Sequence, residues 1–435
     1  MKNIFLKFSM PVFLLVLVMT SCTLDDISNP NGPDLAPIVQ DATKSELQLL
    51  VSGIQSLTRN DIGFYYDVTA IIGREYYYFT GSDPRYTGEL LGKGSAVLDN
   101  AGFYGTRPFA GRYRTVKECN VLLEAIQNTT ADISDAEKKG FMGFAKTMKA
   151  YELSIVLNLQ YKNGIRVDVA DPDKLGPFLD YEGSLSAIAD LLDEANADLQ
   201  AAGDVFAFTL RGFSGFGTPS TMSTFNRALA ARIALYQGDM AGARTALASS
   251  FMDMNGPLDM GPKMVFSLSG GDRTNPVYRP TDQADGIIAH PSFVADMEAN
   301  DDRASKIALR PSGTLALDDL SGDYDVVVFN SFEAPISYIR NEELILIMAE
   351  AQIGNDNGAA VNAINVIRNA HGIGDYSGDM TDAALLDEVL NQRRYSLFGE
   401  GHRWVDMRRL GRLGELPIDR TGDDVWEQMP RPVTE

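Results

Sequence analysis

Between residues 63 and 113 the chain gathers aromatic rings and polar side chains at a density seen nowhere else in it. Phe64, Tyr65, Tyr66, Tyr76, Tyr77, Tyr78, Phe79, Tyr86, Phe103 and Tyr104 are interleaved with Arg74, Asp83, Arg85, Asp99, Asn100, Arg107 and Arg112. An oligosaccharide presents apolar ring faces rimmed by hydroxyls. Aromatic rings cover such faces, arginine and carboxylate groups bond the hydroxyls, and tyrosine does both with a rigid ring and a polar tip. The candidate ligand contacts are therefore Arg74, Tyr76, Tyr78, Arg85 and Tyr86. In an extended stretch neighbouring side chains alternate, so Tyr76 and Tyr78 are expected to face the ligand and Tyr77 to pack inward. Asn275, Tyr278 and Arg279 form a second candidate group in a later irregular stretch.

Other chemistries find no pattern. His290, His371 and His402 lie far apart, and neither HExxH nor a Cys/His ligand spacing occurs, so no metal site is expected. G-x-S-x-G is absent, and Gly88 to Gly94 misses the phosphate-loop spacing. No nucleotide-binding glycine pattern follows a strand-like run, so no cofactor is expected. The Asp318 to Asp323 run lacks the spacing of a calcium loop. Glu400 and Asp406 could be read as a carboxylate pair for acid–base work. The favoured reading is structural: Glu400, Arg403 and Asp406, three apart, form ion pairs along one helix side. With 59 acidic against 38 basic residues the net charge is −21, which repels nucleic acid.

The N-terminus reads as a targeting segment. Lys2 and Lys7 precede an apolar run from Met10 to Met19, and Thr20-Ser21-Cys22 follows. Small residues before a cysteine at this place resemble a bacterial lipobox, with residues 1–21 removed and Cys22 carrying lipid. Asp25 and Asp26 resemble the surface-export signal of Bacteroidetes lipoproteins. Residues 22–40, rich in turn formers, are expected to be a tether. Cys119 then has no disulfide partner and is expected to be buried.

The rest must position these groups, and its periodicity is helical. Apolar stripes recur along Leu47–Leu57, Val116–Ile126, Phe141–Leu159 and Leu185–Leu199. Two stretches look alike: 231–247, broken at Gly238-Asp239, and 348–364, broken from Gly354 to Gly358. Each reads as helix, glycine turn, helix, with alanines where helices approach closely, which resembles tetratricopeptide helix pairs. The expected fold is mostly α: one domain over 41–435, a scaffold of such pairs, with long irregular inserts at about 60–113, 203–221 and 252–335 carrying the binding surface.

Residues Gln392 to Arg409 resemble the C-terminal signature of the SusD/RagB family, E-R-x-x-E-L-x-x-E-G-x-R-W-x-D-L-x-R. Arg393, Leu397, Glu400, Gly401, Arg403, Trp404, Asp406 and Arg409 match, while Gln392 and Ser396 replace two glutamates. Arg340 to Ala351 and Ala363 to Arg368 resemble the two preceding helices of that family. The resemblance implies a nutrient-binding lipoprotein of the outer membrane, facing the cell exterior, that takes an oligosaccharide or peptide and delivers it to a TonB-dependent, SusC-like transporter. It implies no catalysis, and it places ligand contacts after the first helix. A surface glycoside hydrolase and a protein-binding repeat scaffold are the alternatives. The anchor has a direct test: Cys22→Ala is expected to move the protein from the detergent phase to the aqueous phase and to remove the acyl label. Equal partitioning of both forms would overturn the lipid-anchor expectation.

Overall fold

The computed structural model describes residues 36–435. The leader, Cys22 and most of the tether lie outside the described residues. The tether expected to reach residue 40 ends earlier, because a helix begins at Ala36. In chain order the elements are α1 (Ala36–Asp41), α2 (Lys44–Leu57), α3 (Ile62–Ile72), β1 (Tyr76–Phe79), α4 (Phe103–Asn128), α5 (Asp135–Gln160), β2 (Ile165–Arg166), β3 (Phe178–Leu179), α6 (Tyr181–Gln200), α7 (Pro219–Gln237), α8 (Met240–Ala248), β4 (Lys263–Met264), β5 (Gly286–Ala289), α9 (Pro291–Ala295), β6 (Ile307–Leu309), β7 (Leu315–Leu317), β8 (Leu320–Gly322), β9 (Tyr324–Val326), β10 (Ile336–Ser337), α10 (Asn341–Gln352), α11 (Asn357–Ala370), α12 (Asp382–Ser396) and α13 (Arg403–Arg409).

Helices α4, α5, α6, α7 and α8 pack each on the next, and α8 then packs on α10, which carries α11 and α12. The two glycine-broken stretches are the hairpins α7/α8 and α10/α11. Their turns use Gly238 (φ 73°) and Gly354 (φ 75°), a conformation that costs a residue with a Cβ. Ala243, Ala360 and Ala363 are fully buried, so small side chains let the helix axes approach. Among the described residues no helix is long and apolar enough to cross a membrane.

The inserts are more ordered than their composition suggests. The first, expected at 60–113, contains α3, β1 and the start of α4, leaving 80–102 as its irregular part. Helix α3 shows no stripe because nearly all of it is buried, so its whole circumference is apolar. The third insert supplies β5, β6 and β9, and β1 of the first insert joins them in a four-stranded sheet ordered β1-β5-β9-β6. Tyr76, Tyr77, Tyr78 and Phe79 pair antiparallel with Ala289, Ile288, Ile287 and Gly286. The second insert is held to α2 by two glutamines one heptad apart. Gln48 exchanges hydrogen bonds with the backbone of Thr209 (2.8 and 3.2 Å), and Gln55 does the same with Arg211 (2.8 and 3.2 Å).

The C-terminal signature is the densest part of the interior. Asp406 accepts from Arg393 Nε at 2.7 Å and from Arg409 Nε at 2.9 Å. Arg409 also forks onto Glu350 of α10 at 2.6 and 2.7 Å. Burial works to raise the Asp406 carboxyl, but the two arginines outweigh it and hold it at about 2. Glu400 does not share a helix side with Asp406, contrary to the sequence expectation. It sits in the turn between α12 and α13 and pairs with Arg340 (2.8 Å). Arg403 has no carboxylate within ion-pair reach among the described residues, so the expected pairing through Arg403 is corrected; burial pulls its guanidinium down to about 10. At the two departures from the signature, Gln392 Nε2 donates to Glu388 (2.8 Å) and Ser396 Oγ accepts from Arg303 Nη1 (3.0 Å); the terminal nitrogens of the adjacent Arg393 have no hydrogen-bond partner. Trp404 is fully buried, donates its indole N–H to Trp426 O (2.7 Å) and lies under the Arg408 guanidinium at 4.5 Å. Trp404→Ala is expected to cost roughly 3–5 kcal/mol of stability by leaving a cavity and an orphaned carbonyl. Denaturant melts measure it; a cost below about 1 kcal/mol would contradict this account of the interior.

Candidate functional site

The end of β1 opens on a cleft of about 550 Å³ between the first and third inserts, lined by residues that include Phe64 and Asp67 of α3, Tyr78 of β1, Tyr86, Arg59, Asp272, Pro276 and Arg279. Three rings, Tyr78, Tyr86 and Phe64, line it, and Phe103, outside the lining, links the last two. Tyr78 and Tyr86 have centroids 4.5 Å apart, Tyr86 meets Phe103 at 5.6 Å, and Phe103 meets Phe64 at 5.4 Å. The Arg279 guanidinium stands 5.3 Å from the Tyr78 ring, and that of Arg107 5.2 Å from the Phe64 ring. Asp67 lies beneath, accepting from the Tyr76 hydroxyl at 3.0 Å and facing Arg279 Nη2 at 3.8 Å. Burial raises its carboxyl above the ordinary range. The arrangement offers an aromatic bed with an arginine and a carboxyl group at one side.

The residues singled out from sequence fall into three groups. Tyr78, Tyr86 and Arg279 come together in the cleft, although the first two belong to one insert and the third to another. Arg85 does not line the cleft; it is bonded through two nitrogens to Asp83 (2.9 and 2.7 Å) and stacked 4.5 Å over Phe103, with its side chain 36% exposed. Tyr278 packs edge-on against Phe332 (4.7 Å) and does not line the cleft.

Arg74, Tyr76 and Asn275 are corrections. Arg74, at φ 54°, is buried and donates to the carbonyls of Pro417 (3.1 Å), Asp424 (2.7 Å) and Ile72 (3.2 Å), clasping the entry of β1 to the C-terminal tail. Tyr76 is 2% exposed, between Asp67 and Phe398. The alternation argument assumed one wet face, but β1 is covered on both. Tyr77 is equally buried, stacked on Phe79 (5.3 Å) and tilted against His290 (5.2 Å). Asn275 is buried and turns the chain: its amide donates to Ala334 O (2.7 Å) and its oxygen accepts from the N–H groups of Val277 and Tyr278 (2.9 and 3.1 Å). That turn aims Arg279 at the cleft.

Sequence reasoning passed over Asp67, Arg59 and Asp272. Asp67 had a usable signal, since it lies three residues after Phe64 and shares its helix face. Arg59 and Asp272 had none, being 213 residues apart in sequence.

A second cavity, of about 400 Å³, lies against the C-terminal signature. Its charged groups satisfy one another: Arg232 forks onto Glu343 (2.6 and 2.6 Å), Arg340 holds Glu400, and His371 meets Glu342 (2.8 Å). Neither Glu400 nor Asp406 lines the aromatic cleft. Among the described residues no group of three or more histidine, cysteine, aspartate or glutamate side chains could hold a metal ion. In the Asp318 to Asp323 run, Asp318 pairs with Arg420 (2.7 Å) and Lys93 instead.

Residues 329–430 match the SusD family. Searched against curated proteins, the chain has no match. Solved structures similar to it include a SusD superfamily protein from Parabacteroides distasonis (16% identity, TM-score 0.69), surface glycan-binding protein A from Bacteroides thetaiotaomicron (14%, 0.66) and a laminarin-binding SusD-like protein (16%, 0.56). Each alignment covers 90% of this chain and 96% of the other. At these identities the likeness establishes the fold.

Behind the cleft, Glu75 accepts from the Gly399 N–H (3.1 Å) with one oxygen and has no partner for the other. Burial pushes its carboxyl from 4.5 up to about 8. Folding therefore favours its protonated form, so its contribution to stability is full below pH 4.5 and is lost as pH rises through about 8. The melting temperature is expected to fall between about pH 5 and about pH 8 and to level off above that, and to fall less in Glu75→Gln. The difference between the two proteins isolates Glu75 from its neighbour Lys306, which burial lowers to about 7. Parallel curves would mean that Glu75 is ionised throughout.

Proposed function

We propose that this chain, which has the SusD fold and carries the family's C-terminal segment, is a cell-surface lipoprotein that binds an oligosaccharide and delivers it to a TonB-dependent transporter of the outer membrane. The observation that carries the reading is the set of rings Tyr78, Tyr86 and Phe64 lining one cleft, with Arg279 beside Tyr78. Stacking on several rings in a row suits a chain of sugar units, because each ring contributes a contact that tolerates small shifts in the ligand. Arg279, backed by the buried Asp67, would bond sugar hydroxyls beside the rings. Two similar structures are described as glycan-binding and laminarin-binding, which supports the ligand class. The transporter, the outer-membrane location and the anchor at Cys22 rest on the family likeness and on the lipobox. A capture protein needs reversible contacts and no chemistry on the cargo. Glu400 and Asp406, the two acids considered for acid–base work, are each committed to arginines.

The two adjacent tyrosines test the site. Tyr78 is half-buried at the cleft and Tyr77 fully buried behind it. Tyr78→Ala is expected to weaken oligosaccharide binding by about 2 kcal/mol, roughly 30-fold in Kd, with little change in melting temperature. Tyr77→Ala is expected to lower the melting temperature and to spare the affinity of the folded fraction. A glycan panel screened by affinity electrophoresis, with calorimetry on the binders, supplies the ligand. Unchanged affinity in Tyr78→Ala would move the site elsewhere.

A further inference from the structure

The aromatic cleft does not end at Arg59. Arg59 and Asp272, joined at 2.6 Å, also form the wall of a second hollow of about 480 Å³ on their far side. Its lining differs in kind. It holds none of the three rings that line the cleft, and Arg59, Arg211 and Lys263 face it with Asp272 as the one acidic side chain. Over cleft and hollow together, five cations (Arg59, Arg211, Lys263, Arg273 and Arg279) stand against Asp61, Asp67 and Asp272. A chain of net charge −21 thus turns a cationic groove to solvent.

The pairing of these cations leaves capacity. Arg211 and Arg273 have no carboxylate within 4 Å among the described residues. Lys263 reaches Asp259 at 3.1 Å, but Asp259 is 79% exposed and lies outside the hollow, so that pair is readily exchanged. The backbones that carry the cations are fixed. Arg211 is gripped on both sides of its peptide by Gln55. Lys263 lies on β4 opposite Ser337, and its N–H donates to Gly212 O at 2.9 Å. Arg59 Nη1 donates to Val265 O at 2.8 Å. At the rim Gly270 and Gly271 leave open space where side chains would stand. The backbones of Arg211 and Lys263 and the side chain of Arg59 are held in place before a ligand arrives, which lowers part of the ordering cost of binding.

We propose that this hollow is a subsite for an acidic group on the oligosaccharide, a uronate carboxylate or a sulfate ester, held by Arg211, Lys263 and Arg59 while adjacent sugar rings lie on Tyr78 and Tyr86. The proposal rests on the glycan-binding reading above and names its substrate class. Arginine suits either anion, since its fork places two N–H donors against two oxygens. The acidic body does not prevent this. At physiological salt the Debye length is about 8 Å, so charges elsewhere on the surface are largely screened at the hollow while the three cations act at contact.

The test titrates the full chain with three probes of equal length: a β-glucan hexasaccharide, a galacturonic acid hexasaccharide and a chondroitin sulfate hexasaccharide. At least one acidic probe is expected to bind about 10-fold more tightly than the neutral one in dilute salt, and the gain is expected to shrink as salt rises. Which acidic probe gains distinguishes carboxylate from sulfate. The double variant Arg211→Gln, Lys263→Gln is expected to bring that probe down to the level of the neutral one, and Tyr78→Ala to weaken it as well. A neutral probe that binds best, or an acidic gain that survives the double variant, overturns the proposal while leaving Tyr78-dependent glycan binding intact. Failure of all three probes to bind overturns this proposal and the glycan reading together.

Discussion

Asp406 is a carboxylate that cannot be buried without Arg393 and Arg409, and those arginines cannot be buried without it. From this group the ties run outward: through Arg409 to Glu350 of α10, and along α10 to Glu343, which Arg232 of α7 holds in a two-point grip. Removing one member of such a buried set costs roughly 3–5 kcal/mol, because the partner is left charged in a poorly solvating interior. Exchanging the whole set for apolar residues is often neutral. The set therefore contributes geometry more than stability. It fixes how the last helices meet the helix array, since any other docking would strand a charge.

That docking reaches the cleft through a short turn. Gly399 and Gly401 bracket Glu400, both at positive φ, and a Cβ on Gly401 would stand 2.8 Å from the ring of Tyr65. The backbone comes close enough for Gly399 N–H to bond Glu75, the residue before β1. On the other side Arg74 ties the same point to the carbonyls of the C-terminal tail. The strand is thus clamped where it begins, and Tyr78, two residues farther along, inherits its position from that clamp. The C-terminal signature thus sets where the lining of the aromatic cleft stands.

The helix hairpins were legible because each has one apolar stripe and a glycine where the chain must turn. Helix α3 was not, since a helix buried all round carries no stripe. The aromatic segment does contribute Tyr78, Tyr86 and Phe64 to one cleft, but the expected register fails at Tyr76, which is buried. Period-two reasoning holds for a strand with one wet face, and β1 has none because β5 arrives from more than 200 residues away and covering layers close over both sides. Arg74 and Asn275 misled for a shared reason. Their polar ends suit a ligand and suit stray backbone carbonyls and N–H groups equally, and only the fold decides between them. Arg279 was found by composition alone; its meeting with Tyr78 was beyond sequence, because it depends on the pairing of two distant inserts.

The β1–β5 pairing also has a consequence in time. Its partners lie far apart in the chain, so closing that loop is entropically costly and must wait for the helix array, built from near neighbours, to hold the ends. The sheet, and the ring bed on its edge, are then completed late in folding. A chain ordered only as far as α8 has the tyrosines but not the cleft they share with Arg279. The cleft between Tyr78 and Arg279 is thereby complete only once the third insert has paired with β1.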